Sequence, residues 1–197
     1  MLPPDKEREE YLMKNLKKAF CILLALAMIG SLCACGSTTA DTADTGDSLT
    51  SKNGHVFHVT NTSAVITLED VEIVNEDGDN ILLSVCADGW SGGSNVATLK
   101  AIAQKLAGAI KVGSDSALTM MLTDGSSFEG SIDGSIVNAS GTTVSTEVGT
   151  VSVTLDDTST WTLTGDSYVT EFNGDAANVI ANGYTLYVNG VALTGTK

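Results

Sequence analysis

From Val56 onward the chain repeats one motif: a short run in which apolar and polar side chains alternate, closed by residues that favour turns. The runs at 56–60, 64–68, 71–74, 81–85, 118–122, 151–155, 161–164 and 184–188 have the period of two that puts successive side chains on opposite faces of a strand. Gly, Asp, Asn and Ser separate them, as in Glu76-Asp77-Gly78-Asp79-Asn80 and Asp88-Gly89-Trp90-Ser91-Gly92-Gly93-Ser94. The pattern predicts an all-β domain. One segment offers two readings: Val96, Leu99, Ile102, Ala103, Leu106 and Ile110 recur at near-helical spacing, whereas Leu106, Gly108, Ile110 and Val112 alternate. We expect strands over 96–112, with a helix as the alternative.

Self-comparison organises the strands. Leu106-Ala-Gly108-Ala-Ile110 matches Phe128-Glu-Gly130-Ser-Ile132 at a shift of 22, and Leu118-Thr-Met120-Met-Leu122-Thr-Asp124 matches Val151-Ser-Val153-Thr-Leu155-Asp-Asp157 at a shift of 33. The extra residues fall in 135–149. Ile66-Thr-Leu68-Glu-Asp70 has the same form as Val153-Thr-Leu155-Asp-Asp157, and Trp161-Thr-Leu163 recurs as Tyr184-Thr-Leu186 at a shift of 23. A unit of about 22 residues with insertions at its turns suits one coil of a parallel β-helix, with room for about four to five short coils. Stacked Val, Ile, Leu and Met can fill such an interior without large rings, which fits an aromatic content of 5%. Trp161 lies beneath the Phe-equivalent position and is expected in the core.

The start of the chain follows another pattern. Ile22 to Ile29 reads ILLALAMI after Lys14, Lys17 and Lys18, the layout of a secretory signal and too short to span a bilayer. Its ending, Leu32-Cys33-Ala34-Cys35, resembles the bacterial lipobox. The resemblance implies cleavage between Ala34 and Cys35, lipidation of Cys35, and export to the outer face of the cell membrane. Acyl chains contribute about 0.8 kcal/mol per buried methylene, so two or more hold a domain durably on a membrane. A Cys33–Cys35 disulfide would need an awkwardly tight loop, and a metal site there lacks further ligands. Residues 1–12 fit no part of a signal, so Met13 is the expected true start. The expected divisions are then 13–34 signal peptide, 35–54 lipid anchor and flexible Ser/Thr/Asp-rich tether, and 55–197 β-domain.

Charge narrows the partners. From Cys35 onward five lysines face twenty carboxylates, a net of −15, and there is no arginine. Nucleic acid is excluded as a partner, because phosphate binding depends on Lys and Arg. Cys86, the one cysteine left besides the anchor, reads as a buried small apolar residue.

Three stretches carry a family resemblance: Val59-Thr60-Asn61-Thr62 leading to Ile66-Thr67-Leu68-Glu69-Asp70-Val71, the loop Gly89-Trp90-Ser91-Gly92-Gly93-Ser94-Asn95, and Trp161 to Thr170 followed by Asn182 to Gly190. From about His55 to the C-terminus the chain is similar to the right-handed β-helix proteins of Clostridia-type gut and cellulolytic bacteria, whose better-known relatives are cell-surface carbohydrate-binding proteins. The resemblance implies a single-stranded right-handed parallel β-helix. Relatives carry several more coils ahead of the first one here, so the N-terminal edge near Val56 to Val59 would expose unpaired strand groups unless the tether or a partner covers it. Edge-to-edge self-association is one consequence. Catalysis is not expected: β-helix lyases need a cationic base, here only scattered Lys100, Lys105, Lys111 and Lys197 are on offer, and Asp156 and Asp157 would point to opposite sides of a strand.

Candidate contact residues follow from chemistry. Asp70, Asp124 and Asp157 end matched strands, and in adjacent coils such carboxylates would stand about 4.8 Å apart, a setting for Ca²⁺. The alternative is an Asp that opens a turn by bonding backbone amides. Asp77 and Asp79 invite a calcium reading too, without EF-hand spacing. Trp90, in a polar loop, can stack on a sugar ring or simply pack its loop. Tyr168, Tyr184 and Tyr187 form either a terminal aromatic strip for polysaccharide or a cap for the last coil. His55 and His58 lack a carboxylate cluster that would make them metal ligands. The expectation is a membrane-anchored extracellular lipoprotein that binds polysaccharide, with calcium as the bridge to acidic glycans. The alternative is a structural or adhesion lipoprotein that contacts cell wall or a protein partner.

Overall fold

The computed structural model describes residues 48–51, 55–75, 80–87, 94–137 and 141–197. The signal and start at 1–34, the anchor Cys35, and Asp77, Asp79 and Trp90 lie outside them. The first strands are β1 (Ser48–Ser51), β2 (His55–Val59), β3 (Thr62–Glu69) and β4 (Glu72–Asn75). β5 (Ile81–Val85), β6 (Asn95–Ile102) and β7 (Lys105–Ala107) follow, then β8 (Ala109–Val112), β9 (Ser116–Thr123) and β10 (Ser127–Gly130). β11 (Ile132–Asp133) leads through β12 (Ile136–Val137) and β13 (Thr143–Ser145) to β14 (Thr150–Leu155) and β15 (Thr160–Leu163). β16 (Ser167–Val169), β17 (Glu171–Asn173), a single 3-10 turn at Ala176–Asn178, β18 (Val179–Ile180), β19 (Leu186–Val188) and β20 (Val191–Ala192) complete the order.

The domain is all-β, and its three main sheets are parallel throughout: β2-β5-β8-β11, β3-β6-β9-β14-β17 and β7-β10-β15-β18. The chain therefore visits the sheets in rotation, adding one strand to each before returning to the first. The segment expected as strand rather than helix is strand, in β6, β7 and β8. Two places depart from a purely parallel arrangement. β12 and β13 form an antiparallel pair inside the inserted stretch 135–149, and β20 turns back antiparallel on β19 after β19 has paired parallel with β16.

Register follows the internal matches where the spacing between turns is kept. Phe128 lies beside Leu106 and Ile132 beside Ile110, the expected shift of 22. Leu118, Met120 and Leu122 lie beside Val151, Val153 and Leu155, the expected shift of 33. Ile66 reaches Val153 through Leu99 and Met120 in one column, as their common form suggested. The match of Trp161 with Tyr184 fails: Trp161 pairs with Val179, and Leu186 with Ser167. The last round is shorter than its predecessors, so like residues no longer stand opposite each other. A second correction concerns the tether, because Ser48–Ser51 is not free of the domain but runs parallel to Glu72–Asn75.

Inward columns make the core. Leu99, Met120 and Val153 are fully buried in the five-stranded sheet, and Leu106, Phe128, Trp161 and Val179 form a second buried column. Trp161 packs against Phe128 with ring centroids 5.6 Å apart and planes tilted by 33°, and donates its indole N–H to the Gly130 carbonyl at 3.0 Å, so the expected core tryptophan also satisfies its polar atom. Cys86 is buried, as expected. Gly130, which repeats Gly108 of the preceding round, marks where the chain leaves one sheet for the next: a Cβ there would collide with the Gly108 carbonyl and the Phe128 ring. The fold uses glycine here because two rounds approach backbone to backbone.

Candidate functional site

Tyr168 is the middle residue of β16 and Tyr187 of β19, and the two are register partners. Ser167 and Val169 on either side of Tyr168 are buried while Tyr168 is 40% exposed, so alternation turns its phenol outward, and Tyr187 beside it is half-buried. The rings are nearly parallel, 8° apart, with centroids separated by 5.1 Å. Rings that close cannot lie side by side in one plane, and their faces overlap in an offset stack. Next along the sheet, opposite Tyr187, comes the exposed Ala192 of β20.

Short polar contacts fix the two strands. The Ser167 hydroxyl accepts the Ile132 amide at 3.1 Å and donates to the Gly165 carbonyl at 3.0 Å, which holds β16 beside β11 where main-chain pairing stops. Asp166 accepts the Thr185 amide at 2.9 Å, joining the turns that precede the two tyrosines. In the neighbouring sheet, Asp133 of β11 pairs with Lys111 of β8 at 2.7 Å. The site therefore offers stacked apolar ring faces and phenol hydroxyls, with the Asp166 carboxylate two residues before Tyr168 in the chain. Tyr184 is not in the stack; it lies in the turn before β19 and is 43% exposed.

The acidic residues sort differently from expectation. Asp70 and Asp124 occupy the same corner position with left-handed backbone, φ 51° and 58°, but Ala103, at φ 50°, stands between them. Asp157 is exposed beside this corner, and the carboxylate that acts there belongs to Asp156. Asp156 accepts the Asp124 amide of the preceding round at 2.7 Å, the Thr158 amide and hydroxyl at 3.0 and 2.9 Å, and the Ser159 amide at 2.8 Å. Partial burial pushes its pKa up, and the hydrogen bonds from Ser159, Asp124 and Thr158 outweigh that, holding the carboxyl well below the usual carboxylate range. Among the described residues no group of three or more His, Cys, Asp or Glu side chains is placed to hold a metal ion. The ring nitrogens of His55 and His58 come within 3.4 Å of each other.

Gln104 was not foreseen from the sequence. Buried to 1% exposure, it accepts the Val71 amide at 2.8 Å and donates to the Val71 carbonyl at 2.7 Å, standing in for a strand between β4 and β7. A shallow depression of about 320 Å³ beside Asn80, Ala107, Gly108, Ala109, Glu129 and Thr164 contains one ionisable side chain, Glu129, and no paired nucleophile and base. Among the described residues no helix is long and apolar enough to cross a membrane. In comparison with known proteins, no family model, no curated protein and no solved structure matches the chain.

Proposed function

We propose that the chain is an exported, lipid-anchored surface protein whose strands form a right-handed parallel β-helix of about five coils, and whose tyrosine pair contacts polysaccharide without catalysing a reaction on it. The β-helix part is supported by three all-parallel sheets visited in rotation and by the registers at 22 and 33 residues. Anchoring rests on the lipobox resemblance around Cys35, and the surface-protein kinship on the motifs that resemble Clostridia-type β-helix proteins.

The observation that carries polysaccharide binding is the outward stack of Tyr168 on Tyr187. Exposed aromatic faces are the standard means of holding a pyranose ring, whose axial C–H groups form an apolar surface. Calorimetry and a glycan array, run with neutral and acidic polysaccharides with and without calcium, test the reading. Binding that weakens about tenfold in Tyr187→Ala and in Tyr168→Ala supports it. Acidic-glycan binding that needs calcium would bring that ion into the reading. Absence of any glycan binding, or binding indifferent to both tyrosines, sinks it.

A second reading, an adhesion or structural surface protein, is favoured by one observation: β3 is eight residues long and ends its sheet among the described residues.

A further inference from the structure

β3 differs from the two strands beneath it, β6 and β9. Its inward Ala64 and Ile66 are part-exposed, whereas their register partners Ala97 and Leu99, and below these Leu118 and Met120, are at most 1% exposed. On the outward side Val65 is 48% exposed. An edge this long, roughly 26 Å at 3.3 Å per residue, is ordinarily protected by proline, lysine, a bulge or a cover. Thr62-Ser63-Ala64-Val65-Ile66-Thr67-Leu68-Glu69 has no proline and no basic residue, pairs with β6 without a bulge, and keeps its single charge for the last position. Left-handed residues, Asn61 and Asp70, bend the chain away at both ends and so delimit the segment.

We infer that β3 is a self-pairing surface, on which two copies of this chain join β3 to β3 antiparallel about a twofold axis through Val65. In an antiparallel pair, directly opposed residues lie on one face. Centred on Val65, the register sets Val65 against Val65 and Ser63 against Thr67 outside, and Ala64 against Ile66 and Thr62 against Leu68 inside. Small residues meet large ones, and the two part-exposed interiors close on each other. Charge selects the occupant. A chain with a net charge of −14 repels its own copies over much of its surface, and Thr62–Leu68 carries no charge, so two copies can meet along it without opposing like charges. The register also keeps the two Glu69 side chains apart, each opposite an Asn61. The contact is isologous, so it closes at two copies.

The test is sedimentation equilibrium of the full chain in mild detergent, with micelles in large excess so that lipid anchors do not gather copies. The wild type is expected to dimerise, more tightly as salt screens the acidic bodies. Val65→Lys and Val65→Glu should each weaken the dimer at least tenfold while leaving the thermal midpoint of the monomer in place, because the position is exposed. An equimolar mixture of the two variants should dimerise again. A chain that stays monomeric at millimolar concentration overturns the inference. So does a dimer that Val65→Lys leaves intact, or pairing of β3 with a foreign chain in preference to its own copy.

Discussion

The two ends of the strand stack are built differently. At the C-terminal end the last strands are short: β17 has three residues, β18 two, and β20 folds back antiparallel over β19. The main chain of Lys197 then bonds Val179 on β18 and Ala181 just after it, at 2.9 and 2.7 Å, in the manner of one more strand. At the N-terminal end only β4 receives such a cover, from β1, while β2 and the eight-residue β3 close their sheets among the described residues. Both ends face the same physical problem, a last row of main-chain donors and acceptors above a hydrophobic interior. One solves it within the chain by shortening and folding back. The other leaves a neutral, self-complementary strand, which is why we place association there and polysaccharide contact at the other end.

The largest test of that contrast compares one column of side chains at different depths. Leu99→Ala removes a fully buried side chain and should cost about 3 to 4 kcal/mol in urea unfolding. Ile66→Ala, in the same column but part-exposed, should cost about 1 kcal/mol in dilute solution, where the end is open. If the two cost the same at every concentration, the N-terminal end is covered within the monomer and the contrast is wrong. If the cost of Ile66→Ala grows with protein concentration, the column is being completed by a second copy.

Next in size is removal of the C-terminal cover. Truncation after Leu193 deletes the Lys197 bonds to β18 and should cost about 1 to 2 kcal/mol. Hydrogen exchange at Val179, Ile180 and Ala181 should rise while exchange in β9 stays slow. Unchanged protection at β18 would show that the tail is ornament to an end already stable by itself.

Much of this arrangement is legible in the residues, for an identifiable reason. Leu106-Ala-Gly108-Ala-Ile110 and Phe128-Glu-Gly130-Ser-Ile132 match because stacked positions meet the same neighbours and so select the same kinds of side chain. The match of Trp161 with Tyr184 misleads because the final round is shortened, and similarity of residues no longer reports adjacency. Gln104 left no signal: it serves the main chain of Val71, whose amide and carbonyl are common to every residue type. β1 was obscured by composition, since Ser48-Leu49-Thr50-Ser51 continues a Ser/Thr/Asp-rich stretch and gains its strand only by pairing with β4. At the site, the sequence offered Tyr168 and Tyr187 among three tyrosines, and strand register is what sets those two face to face.

The smallest expected effect concerns acid, and it separates the ends by chemistry rather than length. Asp156 ties its own turn to the amide of Asp124 one round earlier, whereas the equivalent corner nearer the N-terminus has Ala103, whose amide bonds the Thr123 carbonyl instead. Because the folded-state pKa of Asp156 lies below its unfolded value of about 3.9, its contribution is fully present above that value and declines as pH falls through it. At neutral pH, Asp156→Asn should cost about 1 kcal/mol, a figure discounted for the solvent that the carboxylate still meets. The gap between wild type and variant in thermal or urea unfolding should then narrow as pH drops from about 4 toward 3, because the unfolded wild type takes up a proton there while its folded state, with the lower pKa, does not. At neutral pH, exchange at the amides of Asp124, Thr158 and Ser159 should be faster in Asp156→Asn than in the wild type, while the amide of Ala103, which answers to a carbonyl, is unchanged. A gap that stays constant between neutral pH and pH 3 would mean that the corner is held by its backbone geometry alone, and that acid cannot distinguish the two halves of the stack.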